Sequence, residues 1–176
     1  MPSVTKIMGP LSDAIYKNID PEILKIAATR GTAIHYATEL LDNYGVIEIK
    51  EEWMPYLKAY IAAKKEYVWE TLAVELRGFH KYLLYAGTID RIILLKEKVY
   101  ILDLKTTVEL HPDLVAVQCS AYKEILKSHG IEVNGIATLQ LKKDGTYRFE
   151  FLEDKTDIFM SLLKIHNFKK TLKGEN

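Results

Sequence analysis

Cysteine is almost absent from the 176-residue chain, which contains only Cys119. One cysteine cannot form an internal disulfide, and it cannot supply the four thiolates that hold an iron–sulfur cluster. Cys119 lies in an apolar stretch with helical spacing, so we interpret it as a small core residue rather than a nucleophile. The sequence therefore predicts neither a disulfide framework nor an iron–sulfur protein.

Long hydrophobic runs are also lacking. A membrane-spanning helix needs about 20 consecutive apolar residues, and the longest candidate, Ile89 to Leu95, is interrupted by Asp90 and Arg91. Residues 1–5 contain no basic segment followed by an apolar stretch, so no secretory signal is predicted. We expect a cytoplasmic protein of a bacterium, an archaeon or a phage, without a membrane partner.

Charge of one sign is lacking too, because lysine plus arginine and aspartate plus glutamate each number 24. Such a balance gives no global attraction to nucleic acid, although a local basic groove is enough for phosphate contacts. The candidates for DNA contacts are Lys142, Lys143 and Arg148 in a predicted hairpin, and Arg30 in a predicted helix. A solvated turn and a solvated helix face explain these residues equally well.

No repeat or linker rich in proline, glycine or serine divides the chain, so we predict one domain over residues 1–176. It has a helical part at about 1–70, a core at about 71–152 and a C-terminal helix at about 154–170. Asp20, Pro21 and Glu22 form a helix start. Gly31 predicts a kink or break near Arg30. Gly45 predicts a left-handed helix cap.

Apolar and alternating runs predict the sheet. Strands are predicted at about 71–76, 82–95, 99–106, 135–141 and 147–152, and helices at about 51–69, 112–128 and 154–170. The run from Val99 to Leu104 is nearly all apolar, as in a strand covered on both faces. The order of elements predicts an α/β fold with a mixed central sheet flanked by helices.

Asp103 lies inside this apolar strand, where an ionised carboxylate is costly unless a partner compensates it. Lys105 leaves the same face of the strand, and Asp90 lies on the preceding strand. Two carboxylates on one face repel each other unless a cation intervenes, and oxygen ligands suit Mg²⁺ or Mn²⁺. Such a site could hydrolyse a phosphodiester, with the lysine orienting water or stabilising phosphate charge. A structural ion pair of Asp103 with Lys105 or Arg91 explains these residues alone nearly as well.

Asp90 and Asp103 share a face only in one hairpin register. Directly opposite residues of an antiparallel pair share a face. For Asp90 and Asp103 to share a face, the two residue numbers of each pair in this hairpin must sum to an odd number, as 90 and 103 do. This requires an even number of loop residues, or a bulge near Gly87. A three-residue turn at Lys96–Lys98 would place Asp90 on the other face, so the metal hypothesis predicts that this register does not occur.

Six short motifs occur in a fixed order along the chain. They are Pro2–Ile7 (PSVTKI), Arg30–His35 (RGTAIH), Glu75, Gly87–Asp90 (GTID), Asp103–Lys105 (DLK) and Gln118–Tyr122 (QCSAY). Together they resemble the RecB-like exonuclease branch of the PD-(D/E)xK nuclease superfamily, over about residues 2–125. The opening motif is similar to that of phage and mitochondrial genome-maintenance exonucleases. The resemblance implies a restriction-endonuclease-like core (αβββαβ) with extra N-terminal helices.

The resemblance implies a role for each matched residue. His35 would be a metal ligand beside Asp90 and Asp103, with the Leu104 carbonyl as a further oxygen donor. Lys105 would be the catalytic lysine.

The remaining matched residues would support these ligands. Gln118 and Tyr122 share a helix face and would position DNA or the lysine, and Glu75 would be an outer or second-metal carboxylate. The implied activity is Mg²⁺- or Mn²⁺-dependent hydrolysis at DNA ends in repair, recombination or phage DNA processing. A non-catalytic DNA-binding protein of the same fold and a structure-specific endonuclease are the alternatives. DNA, single- or double-stranded, would be the partner, and a second copy of the chain or a recombination or replication protein are further candidates.

Overall fold

The computed structural model describes residues 1–174. The helices are α1 (Val4–Ile7), α2 (Gly9–Tyr16), α3 (Pro21–Tyr44), α4 (Met54–Tyr67), α5 (Pro112–Ser128) and α6 (Thr156–Leu172), with a 3-10 turn at Glu51–Trp53. The strands are β1 (Glu70–Phe79), β2 (Ala86–Leu95), β3 (Lys98–Lys105), β4 (Gly135–Leu141) and β5 (Tyr147–Leu152). Within the described residues, no helix has the length and apolar character needed to cross a membrane.

The five strands form one mixed sheet in the order β1-β2-β3-β4-β5. Strands β3 and β4 are parallel, and the other neighbours are antiparallel. Helix α5 connects the parallel pair, because a parallel connection must cross from one end of the sheet to the other. This architecture confirms the predicted α/β fold with a mixed central sheet flanked by helices.

Two hydrophobic cores cover the two faces of this sheet. On one face, Ile101 and Ile136 pack with apolar residues of α1, α5 and α6. On the other face, Leu102, Leu104 and Leu139 pack with residues of α3 and α4. Strand β3 is therefore buried on both sides, as its apolar run predicted.

Helix α3 begins and ends where the sequence predicted, but it does not break at Gly31. The Asp20 side chain accepts a hydrogen bond from the Glu22 N–H at 2.7 Å, and Gly45 ends the helix with φ 68°. The prediction of a break near Arg30 is wrong, because one helix of 24 residues spans this position. The reason is tertiary: a glycine costs a helix only about 1 kcal/mol, and α3 passes close to Thr106 at Gly31.

The predicted strand from residue 82 instead begins at Ala86. Residues 80–85 form a turn, in which His80 Nδ1 accepts hydrogen bonds from the backbone N–H groups of Tyr82 and Leu83 at 3.2 and 3.1 Å. Helices α1 and α2 were not predicted from periodicity. Both are short, so few repeats of the helical pattern are available to reveal them.

The hairpin between β2 and β3 has a two-residue loop. Lys96 and Glu97 have φ values of 48° and 62°, and two left-handed residues are what a type I′ turn requires. Leu95 pairs with Lys98, and the register continues in step toward Asp90. The three-residue turn at Lys96–Lys98 was wrong, whereas the odd-sum register required by the metal hypothesis is confirmed.

Candidate metal centre

Three acidic residues lie in a row across three neighbouring strands. The pairing of β1 with β2 places Glu75 opposite Asp90. The pairing of β2 with β3 ends at Arg91 and Leu102, and its continuation places Asp90 opposite Asp103. Glu75 has a left-handed backbone with φ 45°, a conformation that strains a non-glycine residue and is enriched at functional sites. The sheet thus presents a carboxylate from each of three strands at one level.

Strands β2 and β3 separate at Asp90. The Leu104 N–H donates a hydrogen bond to Asp90 Oδ2 at 2.8 Å, so a side-chain carboxylate replaces the main-chain acceptor of a regular ladder. This bond fixes the orientation of the buried Asp90 carboxylate. The other oxygen, Oδ1, is directed toward α3.

His35 of α3 completes this group. Its Nδ1 lies 3.4 Å from Glu75 Oε1 and 3.7 Å from Asp90 Oδ1. Its Nε2 lies 3.1 Å from the Leu104 carbonyl oxygen and donates to it. One ligand atom each from His35, Glu75 and Asp90 lies within 4.8 Å of the other two. An imidazole and two carboxylates at this spacing suit one divalent cation.

The charges of these groups depend on one another. Burial alone would lower the pKa of His35, but the carboxylates of Asp90 and Glu75 outweigh it and raise that pKa to about 8. Burial and the facing Asp103 raise the pKa of Asp90. Burial would raise the pKa of Glu75, but His35 and Arg91 outweigh burial and lower it. Without a metal, the proton on His35 compensates the clustered carboxylates.

Asp103 and Lys105 form the second half of the site. Lys105 Nζ lies 2.7 Å from Asp103 Oδ2 as an ion pair, and it donates to Gln118 Oε1 at 3.3 Å. Gln118 Nε2 in turn donates to the Tyr122 hydroxyl at 2.9 Å. Asp103 is buried, and its Oδ2 contacts the Lys105 ammonium, whereas its Oδ1 has no hydrogen-bonding partner among the described residues. A buried carboxylate oxygen without a partner is costly, and a bound cation would relieve that cost.

The predicted ligand set and the observed cluster differ in one member. His35, Asp90 and the Leu104 carbonyl are neighbours, as predicted. The compact three-residue group contains Glu75, which was assigned an outer or second-metal role, and leaves out Asp103. The physical reason is that the Asp103 carboxylate is turned to Lys105.

The four basic residues proposed for DNA contacts separate into two groups. Arg30, Lys142 and Lys143 line one cavity of about 460 Å³, next to the end of β3. Arg148 does not line this cavity, because it lies on the edge strand β5 and pairs with Glu150 at 2.6 Å.

Sequence reasoning missed the buried residues whose hydrogen bonds position Glu75 and Asp90. The fully buried Arg91 donates to the Asp90 carbonyl oxygen at 2.6 Å and to Glu75 Oε1 at 3.5 Å. Its Nε donates to Asp42 Oδ2 at 2.7 Å. An arginine within an apolar strand is a signal that a buried acid must lie nearby. Nothing in the sequence shows that this acid is Asp42, on α3.

The Tyr122 ring packs against Gly87 of β2. A Cβ at Gly87 would lie 2.5 Å from Tyr122 Cε1 and 3.3 Å from Val4 Cγ2, so the ring packs directly on the glycine backbone. Glycine is needed three residues before Asp90 because a tyrosine of α5 covers that point of β2. Two motifs that are distant in sequence are therefore one packing unit.

Gly87→Ala is expected to destabilise the protein by about 1–3 kcal/mol, because the added methyl group overpacks the Tyr122 contact. The free energy of unfolding from urea titrations measures this. Gly9→Ala is the matched control, since a Cβ at Gly9 would meet no atom within 4 Å. Equal stability of both variants and the wild type would contradict this packing argument.

Mn²⁺ binding is expected to strengthen as the pH rises. The proton on His35 competes with the cation below the pKa of about 8, so the dissociation constant should fall about tenfold per pH unit between pH 6 and 8 and then level off. Calorimetry in buffers of different ionisation enthalpy should show release of about one proton per ion at pH 7. His35→Gln has no such proton, and its weaker binding should change little between pH 7 and 9. Wild-type affinity that is constant between pH 6 and 8 would contradict the expectation.

Comparisons with known proteins leave the family open. No family model matches the chain, and no curated protein matches it. Among solved structures, the crystal structure of SSO0001 is similar, with 11% sequence identity and a TM-score of 0.48 over 99% of this chain and 75% of that chain. A likeness of this size carries no conclusion about activity.

Proposed function

We propose that this protein is a Mg²⁺- or Mn²⁺-dependent deoxyribonuclease of the PD-(D/E)xK superfamily, with a restriction-endonuclease-like core, and that it hydrolyses phosphodiester bonds at DNA ends. The observation that carries the proposal is the buried pair of facing carboxylates, Asp90 and Asp103, with Lys105 beside them. The ordered motifs described above support the same assignment.

The donor set fits a hard divalent cation. His35, Glu75 and Asp90 would hold it, and the Asp103 carboxylate, whose Oδ1 has no hydrogen-bonding partner among the described residues, faces Asp90 from the next strand. When bound, Mg²⁺ or Mn²⁺ would lower the pKa of a coordinated water molecule and offset the negative charge that the phosphate gains in the transition state.

Lys105 is arranged to act on the phosphate or on the attacking water. Burial would lower the pKa of its ammonium, but Asp103 and Asp90 outweigh burial and raise it, so the group stays protonated. Gln118 accepts one of its N–H groups and limits where the ammonium can point. A fixed positive charge in a partly buried site stabilises the developing charge of phosphodiester hydrolysis.

A structural ion pair is the competing explanation. It accounts for Asp103 and Lys105, but apolar residues of similar size usually stabilise a fold at least as well as a buried pair. It gives no reason for gathering Glu75, Asp90 and His35 beside that pair. The metal-dependent function explains all five residues together.

The test uses a linear and a circular DNA of the same sequence, incubated with Mg²⁺, Mn²⁺, Ca²⁺ or EDTA. We expect loss of the linear DNA with Mg²⁺ or Mn²⁺, an intact circle, and no cleavage in EDTA. Asp103→Ala should be inactive, whereas the exposed-site control Asp157→Ala should match the wild type. Cleavage of the circle would favour an endonuclease, and cleavage in EDTA or by Asp103→Ala would refute the proposal.

A further inference from the structure

One continuous groove runs past the end of β3. A cavity of about 360 Å³ and the cavity of about 460 Å³ that holds Lys142 and Lys143 share three lining residues, Arg30, Thr107 and Val108. They are therefore two halves of one surface feature, which we call the β3 groove.

The two halves of the β3 groove differ in chemistry. One half has more basic than acidic groups, because Lys142 and Lys143 line it beside one acid, Asp144, and Arg30 lies at the junction. The Asp144 carboxylate accepts hydrogen bonds from Thr146. The other half is largely apolar, and its lining includes Ile23, Ile26 and Val108, which are 60%, 65% and 94% exposed. Exposed apolar side chains that adjoin one another along a groove are typical of a binding surface.

Arg30 is held at the junction of the two halves. It donates to the Thr106 carbonyl oxygen at 2.9 Å, and its guanidinium lies 5.6 Å from the centre of the Tyr56 ring. The Arg30 side chain lines both cavities and so reaches the surface of the groove. A guanidinium held in this way at a groove surface is suited to bind a phosphate.

The β3 groove adjoins the candidate metal centre. Thr106 and Thr107 directly follow Lys105, and Arg30 is five residues before His35 on α3, about 7.5 Å along the helix. Tyr16, in the apolar half, lies near enough to Lys105 for that charge to oppose the rise that burial causes in the tyrosine pKa. A polymer lying in the groove would pass the catalytic groups.

We propose that the β3 groove binds one unpaired DNA strand, with phosphates in the basic half and bases against the apolar half. This rests on the proposed function only in taking DNA as the ligand. In a duplex the base faces are stacked on one another, so the apolar half would have nothing to contact. In a single strand they are exposed and bind apolar and aromatic side chains next to a basic track.

The test measures binding by fluorescence anisotropy in EDTA, which prevents metal-dependent cleavage. The probes are a fluorescein-labelled strand of about 20 nucleotides and the blunt duplex of the same sequence. Each half has its own double variant: Lys142→Gln with Lys143→Gln for the basic half, and Ile23→Gln with Ile26→Gln for the apolar half. Matched controls on the exposed face of α6 are Lys164→Gln with Lys169→Gln, and Ile165→Gln.

The wild type should bind the single strand at least about tenfold more tightly than the duplex. The basic-half variant should weaken binding of both probes, and its log–log salt slope for the single strand should fall by about 0.7 per lost phosphate contact. The apolar-half variant should weaken single-strand binding about tenfold and leave duplex binding unchanged. The α6 controls should match the wild type.

Three outcomes would overturn the groove assignment. The first is equal or tighter binding of the duplex, and the second is single-strand binding by the groove variants that matches the wild type. The third is a concentration-dependent dimer that the Ile23 and Ile26 changes abolish. That dimer would assign the apolar half to contact with a second copy of the chain. Cleavage of DNA with Mg²⁺ is measured in parallel. Cleavage with unaffected groove variants refutes only the groove, whereas the expected binding without cleavage refutes only the nuclease.

Discussion

Asp103→Asn is expected to lower the single-turnover rate of Mg²⁺-dependent DNA cleavage by about a thousandfold or more. The change keeps the shape of the side chain and removes its charge. Asp103 is buried, so water cannot take over the role of the lost carboxylate. The same change also removes the ion-pair partner of Lys105, 2.7 Å away.

The matched comparison is Lys105→Met and the double variant. In the proposed nuclease, Asp103 and Lys105 would act on the same reacting group, so each single change should cost nearly as much rate as both together. Stability should behave differently: Asp103→Asn leaves an uncompensated ammonium, and the double variant should regain part of the lost free energy of unfolding. Rate losses that multiply would show that the two residues act independently, and an Asp103→Asn protein that cleaves at the wild-type rate would show that the pair is structural.

The parts of the site that could be predicted are those encoded locally. Asp103 and Lys105 are two residues apart in an apolar strand, and strand alternation alone puts them on one face. The position of Asp90 relative to Asp103 depends on the number of residues in one hairpin loop. A register argument could state this condition before the loop itself was known.

The parts that could not be predicted depend on contacts between distant segments. Periodicity treats Gly31 as a helix breaker, because it does not show that Thr106 lies against that point of the helix. The left-handed backbone of Glu75 has no signal in its residue type, since glutamate rarely adopts it. The gathering of Arg30 with Lys142 and Lys143 depends on how α3 crosses the sheet.

Asp42 is a further residue whose contacts could not be predicted from the sequence, and replacing it is expected to have the largest effect on stability. Its side chain has 0% exposure and contacts Arg91 at 2.7 Å and Lys64 at 2.6 Å. It also accepts a hydrogen bond from the Tyr60 hydroxyl at 2.5 Å. Asp42→Ala should lower the free energy of unfolding by about 3–5 kcal/mol, because it leaves the fully buried Arg91 guanidinium without its carboxylate.

Urea titrations of Asp42→Ala measure this loss, and Lys64→Met is the matched control. Lys64 is 34% exposed and contacts the same carboxylate, so removing it should cost no more than about 1 kcal/mol. Mn²⁺ affinity of the folded fraction separates a local role from a global one. Arg91 also donates to Glu75 and to the Asp90 carbonyl, so its displacement in Asp42→Ala should weaken Mn²⁺ binding, whereas Lys64→Met should not. Equal stability losses in the two variants would mean that Asp42 stabilises the fold through Lys64 rather than through Arg91. Unchanged Mn²⁺ affinity in Asp42→Ala would separate the buried arginine from the candidate metal centre.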